Sequence, residues 1–161
     1  MRSTDPITAY IALGANLGDR AGNIKDALDL LGDNPRLKVV SVSSMFENPS
    51  VGGPEDAPSF INAVARIDTT LEAHDLWRWM MEIETQLGRE RRTKWEPRPI
   101  DLDILLYGDA IISSDELVIP HPLMHERRFV LKPLAEIAPN AIHPVLLMTA
   151  AGLLQNLNHN G

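Results

Sequence analysis

Residues 88–107 read GRERRTKWEPRPIDLDILLY, a burst of arginine that runs into two aspartates, Asp101 and Asp103, inside an otherwise apolar stretch. Side chains alternate across a strand, so the two carboxylates fall on one face, with Cα atoms roughly 6.6 Å apart at the usual rise per residue. Paired carboxylates suit a hard divalent cation. Arginines beside such a cation suit a polyphosphate, because the guanidinium fork binds phosphate oxygens in pairs and Mg²⁺ is commonly shared between carboxylates and phosphates. Nucleotide chemistry is the first expectation.

Working outward, the stretch sits after a helical pattern and ends a recurring order of elements. Ile7 to Leu13 reads as a buried strand, followed by the turn Gly14-Ala-Asn-Leu-Gly18 with Asp19 as N-cap and a helix from Arg20 to Leu31 that presents Ile24, Ala27, Leu28 and Leu31 on one face. Leu37 to Phe46 alternates as a second strand, and Phe60 to Asp68 as a third. Thr70 is the expected cap of a helix Leu71 to Leu87, which Gly88 stops, and Ile100 to Tyr107 is the fourth strand. Strand, helix, strand, strand, helix, strand predicts an α+β fold, a ferredoxin-like antiparallel sheet with its helices on one face and further strands and helices after it. The later pieces are Ala110 to Ile112, Leu117 to Ile119, the turn Pro120-His121-Pro122, and helical segments over Leu123 to Ala138 and Met148 to Leu157.

The length, 161 residues at 44% hydrophobic, predicts one catalytic domain over 1–161, with residues 1–6 as a flexible extension. Cysteine is absent, which excludes disulfides and thiolate chemistry. No apolar run has membrane-spanning length, and the N-terminus lacks a signal-peptide core, so a cytoplasmic protein with no membrane partner is expected. Net charge is −7, yet residues 89–98 hold five cations (Arg89, Arg91, Arg92, Lys94, Arg98) against Glu90 and Glu96. A compact positive site in an acidic chain favours a small anion over nucleic acid, whose backbone wants a broad basic surface.

The aspartate pair gains meaning from its company: Trp95-Glu-Pro97-Arg98-Pro99-Ile-Asp101-Leu-Asp103, then Pro120-His121-Pro122-Leu-Met-His-Glu-Arg127-Arg-Phe129. With Ala9-Tyr-Ile-Ala-Leu-Gly-Ala-Asn-Leu-Gly18, Phe60-Ile-Asn62 and Leu131-Lys-Pro-Leu-Ala-Glu-Ile-Ala-Pro139, the chain resembles the 6-hydroxymethyl-7,8-dihydropterin pyrophosphokinases over nearly its whole length. That resemblance implies ATP as co-substrate with two Mg²⁺ ions, transfer of diphosphate to the pterin hydroxymethyl group with release of AMP, and a place in folate biosynthesis; a monomer is expected. It implies Asp101 and Asp103 as metal ligands and, with Arg89 and Arg98, as the catalytic set. Glu84, Arg91, His121 and Arg127 are implied nucleotide contacts, Arg89 and Arg91 on a mobile loop that closes over ATP. Asn48, Pro49, Val51, Phe60, Asn62, Trp95 and Phe129 are implied to hold the pterin, Phe60 and Phe129 by stacking and Asn62 by reading the ring edge.

Departures from the family pattern are Glu96 where glycine is usual, Pro99 where a threonine-like residue is frequent, Phe60 for a common tyrosine, and an acidic Glu116. Two rival readings share the same features. An RNA-binding module could use the same strand order, but wants exposed aromatics and a basic face. A nucleotidyltransferase could use the same aspartates but would attack the α-phosphate.

Overall fold

A computed structural model describes residues 5–48, 59–88 and 99–160. The elements are β1 (Ile7–Ala15), α1 (Arg20–Gly32), β2 (Leu37–Val42), β3 (Phe46–Asn48), β4 (Phe60–Thr69), α2 (Ala73–Leu87), β5 (Asp101–Tyr107), β6 (Ile112–Ser113), β7 (Val118–Ile119), a short 3₁₀ turn at Met124–Glu126, α3 (Arg128–Ile137) and α4 (Ala150–Asn160). The main sheet is antiparallel and runs β2-β4-β1-β5, with β3 also paired to β4; β6 and β7 form a separate hairpin.

Alternation along the strands divides the sheet into two faces. Ile11 and Leu13 of β1, Ala63, Ala65 and Ile67 of β4, and Leu102 and Ile104 of β5 are buried with Ile24, Ala27 and Leu31 of α1 and Leu76, Met80 and Ile83 of α2. Their period of two meets the helices' period of about 3.6, which closes one continuous core. On the opposite face Val64 and Leu106 pack with Val130, Leu131 and Leu134 of α3 and with Ala150 and Leu153 of α4. The two helices of the expected core, α1 and α2, cover one face, and the later helices α3 and α4, whose side the sequence left open, lie on the second. Periodicity says that a helix has an apolar side, not which side of the sheet receives it.

The predicted strand Leu37 to Phe46 is two strands. Val42 stands opposite Ala65 and Phe46 opposite Asn62, so three residues, Ser43 to Met45, span the distance of two on β4. Ser43 makes the break tolerable: its N–H donates to Val64 O at 2.9 Å and its Oγ accepts the Val64 N–H at 2.9 Å, replacing the ladder bonds. Thr70 is not the cap of α2. Thr69 Oγ accepts the Leu71 N–H at 3.0 Å, and the helix starts two residues later behind Glu72. At α1 the expectation holds, since Asp19 Oδ1 accepts the Gly22 N–H at 3.0 Å.

A second irregularity lies in β5. Ile11 pairs with Ile104 but Tyr10 pairs with Leu106, leaving Leu105 as an extra residue. The bulge lets Asp101, Asp103 and Leu106 share the second face, the aspartates at the end that α3 and α4 leave open.

Candidate active site

Cross-strand register assembles the site from residues far apart in the chain. On the second face, Asn62 of β4 stands opposite Gly14 of β1, and Gly14 stands opposite Asp101 of β5. One step further in, Val64, Ala12 and Asp103 form the next row. Above these rows is a cavity of about 390 Å³, lined among others by Gly14, Asn48, Phe60, Asn62, Asp101, Asp103, His121, Arg127 and Phe129. Nine of the residues implied from the sequence are described, and all of these but Glu84 line this cavity or its rim. Arg89, Arg91, Trp95, Arg98, Pro49 and Val51 lie outside the described residues.

Gly14 is a strand residue, not the turn glycine expected; Gly18, with φ +59°, fills that role. A Cβ at Gly14 would stand 2.9 Å from Asn62 Nδ2 and 4.0 Å from the Phe60 ring. The Asn62 amide thus lies over the glycine, and its Oδ1 is buried without a hydrogen-bond partner among the described residues. A buried amide oxygen in that state is ready for a ligand donor.

At the other wall the chain turns through a cis Ile119–Pro120 bond. The His121 backbone N–H donates to Leu105 O at 3.0 Å, and Nδ1 accepts the Leu123 N–H at 3.2 Å. A ring whose Nδ1 accepts carries its proton, when neutral, on Nε2, the nitrogen that can donate to an anion. Burial pushes this imidazole below the ordinary histidine range; Asp103 opposes that and Arg127 adds to it. The neutral donor form is therefore favoured at neutral pH. Arg127 itself lies with its guanidinium carbon 5.7 Å from the Phe129 ring centre, which holds the cation against one cavity wall.

A smaller hollow of about 160 Å³ wraps the outer edge of β5, between Trp77, Met81, Leu102, Ile104, Glu116 and Leu117. It shares Asp103 and His121 with the larger cavity. Two compartments thus meet at one carboxylate and one imidazole.

Glu84 is not among the described residues that line either compartment. It is buried beside β5, where its carboxylate accepts the Leu102 N–H at 2.8 Å.

Two residues that sequence reasoning passed over shape the site's border. Arg20 Nη1 donates to Ser59 O at 2.6 Å and lies 3.4 Å from Glu47 Oε1, tying together the chain on both sides of residues 49–58. A cation in the first turn of a helix opposes the helix dipole, and that misfit was the available signal. Asn23 Nδ2 donates to Leu17 O at 2.9 Å and Pro99 O at 3.4 Å, joining the β1–α1 turn to the entry of β5.

Among the described residues no group of three or more His, Cys, Asp or Glu could cage a metal. Two carboxylates alone fit Mg²⁺, which keeps waters and takes remaining ligands from substrate phosphates.

A family model described as 7,8-dihydro-6-hydroxymethylpterin-pyrophosphokinase (HPPK) matches residues 10–139. A 2-amino-4-hydroxy-6-hydroxymethyldihydropteridine pyrophosphokinase of Bacillus subtilis is 46% identical over 129 residues, 80% of this chain and 77% of that protein. A protein of the same description from Haemophilus influenzae is 43% identical over 138 residues, 86% of each chain. Among solved structures, a Plasmodium falciparum HPPK-DHPS aligns with a TM-score of 0.76 at 16% identity, covering 96% of this chain and 46% of that one. The chain therefore spans less than half of that larger protein, and the likeness at such identity bears on the fold.

Proposed function

The chain belongs to the 7,8-dihydro-6-hydroxymethylpterin-pyrophosphokinase family, and from that premise we propose that it moves the terminal diphosphate of ATP onto the hydroxymethyl oxygen of 6-hydroxymethyl-7,8-dihydropterin, releasing AMP, in folate biosynthesis. The observation that carries the reading is the meeting of two compartments at Asp103 and His121. A two-substrate transfer needs one pocket for each substrate and a shared wall where the moving group crosses.

The pterin occupies the larger cavity, its ring between Phe60 and Phe129 and its edge read by Asn62, whose buried Oδ1 accepts a ring N–H. Asn62 and Asp101 are two strands apart, about 9.6 Å by ordinary sheet spacing, so a ring gripped at one can extend a substituent to a phosphate held at the other. The adenine side of ATP takes the hollow over the edge of β5, and its phosphates run past His121 Nε2 and Arg127. Asn48 borders the pterin, with Pro49, Val51 and Trp95 completing the enclosure, and Arg89, Arg91 and Arg98 supplying further phosphate contacts.

Asp101 and Asp103 would hold Mg²⁺, two ions in this reading, which neutralises charge on the triphosphate when bound. The hydroxymethyl oxygen attacks the β-phosphorus. A new P–O bond forms, the bond from that phosphorus to the oxygen bridging the α-phosphate breaks, AMP departs with that oxygen, and the hydroxyl proton is released. The residues contribute alignment and charge stabilisation rather than a covalent intermediate.

The sheet order supports taking β1, α1, β2, β4, α2 and β5 as a ferredoxin-like βαββαβ core within one catalytic domain, to which β3 and the elements after β5 are added. The RNA-binding alternative loses its platform, since α3 and α4 occupy much of the sheet face such a module would offer. Isothermal titration with a non-hydrolysable ATP analogue and Mg²⁺ tests the site: wild type binds, and Asp101→Asn and Asp103→Asn bind much more weakly. Equal affinity in all three would overturn the assignment.

A further inference from the structure

Among the described residues, strand β5 is the edge of the sheet, paired only to β1. In its register Asp101 stands opposite Gly14, Leu102 opposite Leu13 and Asp103 opposite Ala12. Backbone groups of an antiparallel strand point alternately toward and away from the partner, so the one N–H between the two aspartates faces the open edge. That N–H is the one Glu84 receives, at 2.8 Å and fully enclosed.

Glu84 is an odd residue for its place. It lies on the last turn of α2, only 7% exposed, on the same helix face as the buried Leu76, Met80 and Ile83. Leucine would pack there without the cost of removing a carboxylate from water. One compensation is a charge-assisted bond to an edge amide that has no other strand to pair with among the described residues. The same residue's carbonyl accepts the Gly88 N–H at 2.9 Å, so its backbone is held while its side chain holds β5.

We propose that Glu84 is a positioning residue for the transfer reaction: by clamping the Leu102 amide it fixes the twist of β5 and with it the direction in which Asp101 and Asp103 point. Both aspartates flank Leu102, and a rotation of the strand at that residue would swing both carboxylates off the shared wall. Glu84 acts through the backbone rather than on phosphate, and the role rests on the assignment of Asp101 and Asp103 given above.

The test compares Glu84→Ala and Glu84→Gln with wild type, first by amide hydrogen exchange at Leu102 in ligand-free protein. Glutamine keeps an oxygen that accepts the amide. Exchange at Leu102 should quicken by roughly tenfold or more in Glu84→Ala and stay near wild type in Glu84→Gln. In turnover, kcat of Glu84→Ala should fall by roughly tenfold or more with the pterin KM within about twofold, and Glu84→Gln should restore most of it. Two results overturn the proposal: Glu84→Gln with Leu102 still protected but turnover as low as in Glu84→Ala, which would make the charge itself the functional feature, or Glu84→Ala with undiminished kcat. Should the alanine variant not fold, the glutamine variant decides alone by the same criteria. The exchange measurement needs no substrate, so it stands apart from whether the wild-type protein forms AMP.

Discussion

Gly14 and Asn62 face one another across β1 and β4, and a methyl group on the glycine would stand 2.9 Å from the Asn62 amide nitrogen. The absence of a side chain at Gly14 is thus what lets the Asn62 amide lie over the strand at the cavity wall. Gly14→Ala should push the amide out of register with the pterin edge. Losing one such hydrogen bond, about 1.4 kcal/mol, is a tenfold effect. Steady-state kinetics should show the pterin KM raised about tenfold with the ATP KM within about twofold.

Asp103 stands where the two compartments join, and Asp103→Ala should remove turnover while the far-ultraviolet circular dichroism is unchanged. The residue is exposed and packs in no core, so its loss has little effect on folding. A coupled assay for AMP should read a fall of at least about a thousandfold, as expected when charge stabilisation in a transfer site is removed. Turnover like that of wild type would remove Asp103 from the mechanism.

Ser43 is 6% exposed and exchanges two bonds with Val64 at the break between β2 and β3. Ser43→Ala leaves the Val64 N–H buried without an acceptor, a loss of about 1–3 kcal/mol. Calorimetry should show a drop of about 3–9 °C in Tm. An unchanged Tm would mean that the break is held by other contacts.

His143 sets a pH dependence of stability. Its Nδ1 accepts the N–H groups of Val145 and Leu146 at 3.2 and 3.1 Å, and burial followed by neighbouring His125 lowers its pKa. The folded state therefore disfavours the proton relative to the unfolded chain, whose histidine titrates near 6.5. The contribution is fully present above about pH 6.5 and is lost as pH falls toward the lower folded value. Urea midpoints should fall between pH 7 and 5 more steeply in wild type than in His143→Gln; parallel curves would contradict this.

Much of this arrangement was legible in the chain. β1, α1, β4, α2 and β5 were readable because each carries an uninterrupted period and a nearby stop, such as Gly88 or Asp19. The division of β2 from β3 was not, because Val42-Ser43-Ser44-Met45-Phe46 shows no breaker; the ladder ends there only because Ser43's hydroxyl takes over a bond to a residue 21 positions away. Thr70 reads as a cap on paper, but Arg36 engages both threonines, its Nε donating to Thr70 Oγ1 at 3.2 Å and its carbonyl accepting the Thr69 hydroxyl at 2.7 Å, and α2 begins behind Glu72 instead. In the site, Asp101, Asp103, Asn62 and His121 stood out as polar residues among apolar or proline neighbours. Gly14's true place and Glu84's burial follow from strand register and helix docking, which no local window contains.

The proposed reaction breaks the bond between the α- and β-phosphates of ATP. Phosphorus NMR of a reaction containing the protein, ATP, Mg²⁺ and 6-hydroxymethyl-7,8-dihydropterin reads this directly. The predicted spectrum gains the single resonance of AMP together with the paired resonances of a diphosphate ester on the pterin. Free pyrophosphate with a nucleotidylated product, or an unchanged ATP spectrum, would contradict it.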